Sequence, residues 1–343
     1  MAEPALEPIL VWGAGAIGGT LGAAWARAGK DVFFVDADAD HVAAMNARGL
    51  TIEGPIENYV QPVRALTPDT VSERYPLIVL AVKAHHTETA VRALTPHLAE
   101  DGAVVSAQNG LNEIAIAKAV GEARTIGCFV NYGADYIEPG RIMRGNRGAT
   151  VVGEIDGRIT PRIKAVHELF RIFEPDAELT TDIWGYVWGK LAYGALLFAT
   201  ALTNESIADA LASERHYAIY RRVGEEVMRV AAARGVTPRG FNGFDPSAFT
   251  PGAPDAATRA SIAAIVAFNR GSAKSHSGIW RDLVVRKRKT EVDAQVAIVA
   301  DLGAEVGIDA PALRRLTGLI HAIEDGQRPL AWSTLDQMFS ACT

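Results

Sequence analysis

Lys190 stands in a stretch that offers an ammonium group almost nothing. Residues 182–202 read Asp-Ile-Trp-Gly-Tyr-Val-Trp-Gly-Lys-Leu-Ala-Tyr-Gly-Ala-Leu-Leu-Phe-Ala-Thr-Ala-Leu, and after Asp182 the lysine is their only charge. Burying an unpaired ammonium is costly, and burial draws a lysine toward the neutral amine, the form that exchanges protons near neutral pH. Two readings stay open. Lys190 passes a proton to or from a bound ligand, or it snorkels to the surface at the helix edge. Glu291, within Thr290-Glu291-Val292-Asp293, is a carboxylate that could orient the lysine and hold its charge. Taken alone it reads as a solvated surface charge.

A second constellation lies at the other end of the chain. The apolar run Ile9-Leu10-Val11-Trp12 enters Gly13-Ala14-Gly15-Ala16-Ile17-Gly18, and a small-residue helix follows from Thr20 to Ala28. In such a strand–turn–helix unit each glycine has its own task. Gly13 allows the tight turn, Gly15 lets backbone approach a pyrophosphate, and Gly18 lets the helix sit close on the sheet. The helix start at Ala16 and Ile17 then offers free N–H groups and the positive dipole end to the phosphates. A second apolar run, Val32 to Val35, ends on Asp36, eighteen positions after Gly18. A carboxylate there accepts hydrogen bonds from ribose hydroxyls and repels a 2′-phosphate, so the expected cofactor is NAD, with NADP as the alternative.

The bulk properties narrow the field. A chain of 343 residues exceeds what one core usually supports, so two domains are expected. A net charge of −6 argues against a nucleic-acid partner. The basic run Arg286-Lys287-Arg288-Lys289 is short and followed by Glu291 and Asp293, which reads as a solvated or interface-facing surface. The two cysteines, Cys128 and Cys342, have no metal-ligand spacing, and Cys128 reads as a small buried hydrophobe. Adjacent His85 and His86 would point about 100° apart on a helix and would not converge on an ion, so no metal is expected. The first residues lack the basic region and apolar stretch of a signal peptide, and no uncharged apolar run reaches spanning length, so a cytoplasmic protein is expected.

These residues need elements to hold them. Leu77 to Val82, Ala103 to Ser106, Thr125 to Val130 and Thr150 to Val152 read as further buried strands. Helical stretches fall between them, at His86 to Leu98 and Glu113 to Val120. Gly133 to Gly148 reads as a hairpin or loop. From about residue 180 the pattern becomes helical: Asp182 to Leu202, Ile207 to Arg234, Asp255 to Asn269, Lys289 to Gly307 and Pro311 to Glu324, with a Pro/Gly/Phe-rich loop at Gly235 to Pro254 that is exposed or covers a site. The fold class is α/β, a parallel-sheet nucleotide domain over residues 1–180 followed by an all-helical domain over 181–343.

The order of these motifs resembles the ketopantoate reductase family. The resemblance rests on the glycine turn, Lys83 after a buried strand, Gln108-Asn109-Gly110, the Trp188 to Ala192 segment and Thr290-Glu291-Val292-Asp293, and it spans nearly the whole chain. It implies a Rossmann-type domain, a helical domain and a cleft between them, with hydride transfer from nicotinamide to the carbonyl carbon of a 2-oxo acid. It further implies Lys190 as general acid and Glu291 as its orienting partner. Asn109 would lie near the reacting groups and Lys83 beside the cofactor, and Ser277 lies in the stretch that supplies a hydroxyl to the substrate carboxylate.

The departures from the family pattern bear on the substrate. Asparagines are usual four and eight positions after the lysine, and here those positions are Gly194 and Phe198. His276 to Asp282 replaces a serine-rich segment, and Asp36 departs from the family's habit of NADPH. The expected substrate is therefore a 2-oxo acid or ketone, or the matching secondary alcohol, bulkier and less polar than ketopantoate. Trp280, Phe198 and Tyr193 are candidate walls for it, and Phe198 reads equally as a core residue. An NAD-linked enzyme would favour alcohol oxidation, with Lys190 as general base. Alternatives are authentic ketopantoate reduction, an opine-type dehydrogenase using a histidine–aspartate pair (His216 and His276 reading as surface histidines), and a non-catalytic NAD sensor. The expected partners are a small-molecule substrate and a second copy of the chain in a homodimer.

Overall fold

Residues 6–241, 243–271 and 275–342 are described by the computed structural model. The chain divides into two units, one running to Ile183 and the other starting at Trp184.

Short apolar runs punctuated by glycine and polar turns build the first unit. Its elements are β1 (Ile9–Trp12), α1 (Ala16–Arg27), β2 (Val32–Val35), α2 (Ala39–Arg48), β3 (Leu50–Glu53), β4 (Tyr59–Gln61), β5 (Arg64–Leu66), β6 (Tyr75–Leu80), α3 (Thr87–Leu94), β7 (Leu98–Ser106), α4 (Asn112–Val120), β8 (Thr125–Val130), β9 (Gly133–Glu138), β10 (Arg141–Asn146), β11 (Thr150–Glu154), α5 (Pro161–Phe173) and β12 (Glu178–Leu179). Eight strands form one sheet in the order β12-β11-β8-β7-β6-β1-β2-β5. Its central strands are parallel, while β11 runs antiparallel to β8. Alternation along β1 explains why its run is wholly apolar. Ile9 and Val11 enter the core on one face with Trp25, Phe34 and Phe170, and Leu10 and Trp12 enter the core on the other with Leu94 and Ile116.

A second sheet, β4-β3-β10-β9, was not expected. The stretch from Gly133 to Gly148 is indeed a hairpin, and its strand β10 pairs in parallel with β3. Three- and four-residue strands carry too little alternation to be read from sequence.

The second unit is helical. α6 (Ile183–Thr200) opens it, followed by α7 (Ile207–Leu211), α8 (Tyr217–Ala233), α9 (Asp255–Arg270), α10 (Gly278–Val284), a π-helical turn at Asp293–Ala297, α11 (Ile298–Glu305), α12 (Pro311–Glu324) and α13 (Trp332–Leu335). The expected helix from Ile207 to Arg234 is broken at residues 212–216, where a 3-10 turn buries His216. The loop after α8 lies along α6. Arg239 N–H donates to the Gly185 carbonyl at 2.8 Å, and the rings of Phe241 and Phe244 lie 5.3 and 5.7 Å from that of Tyr193. Gly189 makes this seating possible, because a Cβ there would fall 2.0 Å from the Arg239 carbonyl oxygen. Glu226 of α8, fully buried, accepts from Ala312 N and Leu313 N at 3.1 and 2.9 Å and so anchors the start of α12. Among the described residues no helix is long and apolar enough to cross a membrane.

Candidate functional site

The glycine turn sits at the end of β1, in the middle of the large sheet. Gly13 has φ +99°, which a side chain resists, and a Cβ there would lie 2.8 Å from Val82 N. A Cβ on Gly18 would meet the Gly13 carbonyl oxygen at 2.1 Å, so α1 starts flush against the turn. Gly15 differs: nothing lies within 4 Å of a Cβ placed on it. It is the N-cap of α1 and provides no side-chain cap, which leaves the N–H groups of Ala16 and Ile17 for a ligand. Open space at Gly15 and uncapped donors behind it fit the pyrophosphate of a dinucleotide.

Asp36 does more than its position at the end of β2 suggests. Its Oδ2 accepts from Ala14 N at 2.9 Å and its Oδ1 from Asp38 N at 3.0 Å, so the carboxylate latches the turn to the strand. An ionised carboxylate has about four acceptor positions, and capacity remains for ribose hydroxyls. His41, wholly buried, completes the latch. Its Nδ1 accepts from Gly140 N at 2.9 Å, which leaves the proton on Nε2 to donate to the Ala14 carbonyl at 2.9 Å. Sequence reading did not single out His41, whose partner Gly140 is 99 residues away.

Lys83 follows β6 as the half-buried N-cap of a 3-10 turn at Ala84–His86. Asn109 is half-buried, and its carbonyl accepts from Asn112 Nδ2 at 2.7 Å. A buried polar network holds that turn. Gln108 Nε2 donates to the Val82 carbonyl at 2.9 Å and to Thr87 Oγ at 2.8 Å, and Thr87 Oγ donates to Asn112 Oδ1 at 2.8 Å. The segments carrying Lys83 and Asn109 are thereby tied together. Thr87 and Asn112 were missed, since nothing in their local sequence shows a partner 25 positions away.

In the second unit Lys190 is half-buried between fully buried Gly189 and Leu191 on α6, and Glu291 is 8% exposed. Neither is without a partner. Glu291 is presented by a clamped turn. Glu324 Oε1 accepts from both Thr290 N and Thr290 Oγ at 2.7 Å, and its Oε2 bonds His321 Nδ1 at 2.9 Å. The other ring nitrogen of His321 lies 2.9 Å from Asp293 Oδ1. Burial pulls the His321 pKa down, but the hydrogen bonds and charges of Glu324 and Asp293 overcome it and hold the imidazole above its ordinary value. The π-helical turn follows at once, so the expected helix from Lys289 starts late.

Gly194 lies one turn after Lys190 on the same face of α6. The atom nearest a Cβ placed there is Gln295 Oε1, at 3.5 Å. Gln295 N donates to the Glu291 carbonyl at 3.1 Å, so this glutamine is one turn beyond Glu291. α6 and the segment after Glu291 therefore approach each other one turn beyond the lysine.

The other candidate residues have these surroundings. Phe198 is wholly buried in the core and offers no surface to a ligand. Eight residues beyond Lys190 it has turned about 80° away from the lysine's face. Tyr193 is enclosed by Phe241 and Phe244, and its hydroxyl accepts from Asn269 Nδ2 at 3.2 Å. Ser277 is 4% exposed and its Oγ caps α10 by accepting from Trp280 N at 3.1 Å. The half-buried Trp280 donates its indole N–H to Asn204 Oδ1 at 2.9 Å, and its ring centroid lies 4.1 Å from that of His276. His216 is not a surface histidine. It is 3% exposed, bonded to Ser213 Oγ at 2.7 Å and Asp336 Oδ1 at 2.9 Å, and stacked on Trp332 and Phe339. That is a histidine–aspartate pair, but one sealed away from any substrate.

Comparison with known proteins covers both units. The family model described as Ketopantoate reductase PanE/ApbA matches residues 9–157, and that described as Ketopantoate reductase PanE/ApbA C terminal matches residues 182–324. A 2-dehydropantoate 2-reductase from Archaeoglobus fulgidus is 28% identical over 323 residues, covering 94% of this chain and 99% of that one. A PanE/ApbA family ketopantoate reductase from Ralstonia eutropha JMP134 aligns with TM-score 0.78 at 26% identity, covering 93% of this chain and 99% of that one. D-mandelate dehydrogenase, in a ternary structure with NADH and anilino(oxo)acetate, aligns with TM-score 0.80 at 20% identity over 93% and 99% of the two chains, a likeness of fold. Matched in both of its units, the chain belongs to the ketopantoate reductase family, oxidoreductases that act on CH–OH groups with a nicotinamide cofactor.

Proposed function

We propose that this chain is an NAD-linked oxidoreductase that interconverts a 2-oxo acid and its secondary alcohol, and that its substrate is bulkier and less polar than ketopantoate. The observation that supports the reading is the approach of Gly194, one turn after Lys190 on α6, to Gln295, one turn after the clamped Glu291. Lys190 exchanges the proton of the reacting oxygen, and Glu291 orients the lysine and holds its charge. Asn109 holds the reacting groups, Lys83 binds the cofactor, and Ser277 offers its hydroxyl proton to the substrate carboxylate. Its oxygen is already engaged as a cap, but the O–H remains to donate.

The glycine turn and Asp36 are the residues that would hold the cofactor, which supplies hydride chemistry when bound. Asp36 favours NAD, because its carboxylate would face a 2′-phosphate. In the oxidising direction, with the oxidised cofactor bound as hydride acceptor, the C–H and O–H bonds would break, the carbonyl would form, and the hydroxyl proton would pass to the neutral amine of Lys190. In the reducing direction the ammonium returns it.

A larger substrate is favoured by Gly194, where α6 lacks the amide side chain that the family carries, and by the half-buried Trp280. D-mandelate dehydrogenase, an enzyme named for an aromatic 2-hydroxy acid, shares this fold and favours the same choice. The reading takes a homodimer as the working assembly, from the apolar character of the helical unit.

The test is kinetic. Lys190→Ala should lower kcat by about 10²–10⁴-fold while the dissociation constant for NADH changes little. Unchanged turnover would leave a nucleotide binder and remove the mechanism. A screen of 2-hydroxy acids and secondary alcohols graded by size, with pantoate included, tests the substrate, and pantoate as the best substrate by a wide margin would overturn the argument from Gly194. In the same assay kcat/KM with NAD should exceed that with NADP.

A further inference from the structure

The Gly194–Gln295 approach identifies a residue that motif reading passed over. Gly194 presents no side chain on the face of α6 that carries Lys190, one turn earlier. The group occupying that place is the side-chain amide of Gln295, whose Oε1 lies 3.5 Å from where a Cβ of residue 194 would stand. Gln295 is half-buried and sits one turn after Glu291, inside the π-helical turn Asp293–Ala297. A π turn shifts the residues after it out of α-helical register and is often found at functional sites. Here it brings a glutamine amide against α6 at Gly194, one turn after Lys190. A half-buried amide is within reach of a ligand and bonds to water when none is bound. The neighbouring polar side chains are already engaged: Thr290 and His321 with Glu324, and Asp293 with His321.

We infer that Gln295 is the substrate-contacting amide of this site, donating through Nε2 to the carboxylate of a 2-oxo or 2-hydroxy acid and using the space that Gly194 leaves open. An amide carried on the longer glutamine stem, from the opposite segment, meets the substrate from another direction than one rooted on α6. The site therefore keeps its polar anchor although α6 carries no side chain at residue 194. The inference rests on the proposed role of Lys190 and Glu291, and it assigns this chain a specificity residue.

The experiment compares Gln295→Ala, Gln295→Glu, Lys190→Ala and the double variant Gly194→Asn/Gln295→Ala, each on a 2-hydroxy acid and on the corresponding alcohol lacking the carboxylate. Gln295→Ala should raise KM for the acid by about ten- to a hundred-fold, the loss of one hydrogen bond to a charged group, with kcat little changed and the alcohol unaffected. Gln295→Glu should raise it at least as far, by placing like charges together. Gly194→Asn in the Gln295→Ala background should recover part of the loss, because it supplies an amide to the carboxylate from α6 instead. An unchanged ratio of KM values between acid and alcohol in Gln295→Ala overturns the inference, while an active Lys190→Ala overturns the functional reading beneath it. A purely structural role would move both substrates together.

Discussion

At the scale of single residues, the least expected group is Glu113, in the first turn of α4. Its side chain is buried, and neither its carboxyl oxygens nor the neighbouring Ser106 hydroxyl makes a hydrogen bond of regular geometry among the described residues. Burial pushes its pKa up to about 7, against the smaller opposing pull of its own backbone amide, the Ser106 hydroxyl and the Cys128 amide. The sign follows from linkage. Between the ordinary carboxyl pKa and about 7 the folded protein holds a proton that the unfolded chain has lost, so stability falls as pH rises through that window. At pH 8 the cost is on the order of 3 kcal/mol. Glu113→Gln should flatten this dependence, raising Tm relative to the parent at pH 8 and not at pH 4, as read by thermal melts across pH. Parallel melting curves for the two proteins at both pH values would show that Glu113 ionises without penalty. Residues whose demands are local were legible in the sequence: Gly13, Gly15 and Gly18 each answer to the turn they stand in, and Lys190 stood out against an apolar background. Gln295, Glu324, His41 and Thr87 were not legible. Each acts through a partner brought from a distant segment, and a glutamine in a polar stretch is indistinguishable from a solvated one until the segment opposite is known.

Elements were legible in proportion to their length and period. α12 and α9 follow their apolar stripes from proline- or aspartate-marked starts, and α6 announces itself by eighteen residues of nearly unbroken apolarity. The break at residues 212–216 was hidden because a buried histidine with a serine and an aspartate for partners looks polar in sequence. In the same way, the late start of the helix after Lys289 depends on Glu324 holding Thr290 from another helix. α6 also shows why its glycines are there. The chain after α8 crosses it at Gly185 and Gly189, and the aromatic pair Phe241 and Phe244 closes on Tyr193 beyond. Gly189→Ala places a methyl 2.0 Å from the Arg239 carbonyl and must push the loop away. Despite the better helix propensity of alanine, it should cost about 1–3 kcal/mol, seen as a lower urea midpoint with m unchanged. Gly318, on α12 with nothing near its Cβ position, is the control: alanine there should stabilise by roughly 0.5–1 kcal/mol. Equal effects at the two positions would mean that the loop does not bear on α6.

At the scale of the whole molecule, the change from alternating short runs to long helical stretches near residue 180 was visible, and the chain divides between Ile183 and Trp184. The antiparallel β11 and the small sheet were not visible, because strand direction and pairing over long separations leave no local trace. That small sheet has a consequence for how the protein is made. Thr51 of β3 pairs with Arg141 of β10, so the β3–β4 hairpin leaves the ribosome with one edge open and waits for about ninety further residues before its partner exists. At the usual 5–20 residues per second that wait lasts roughly 5–20 seconds. For that time β3 and β4, too short to hold as a sheet on their own, wait for the strand that completes them.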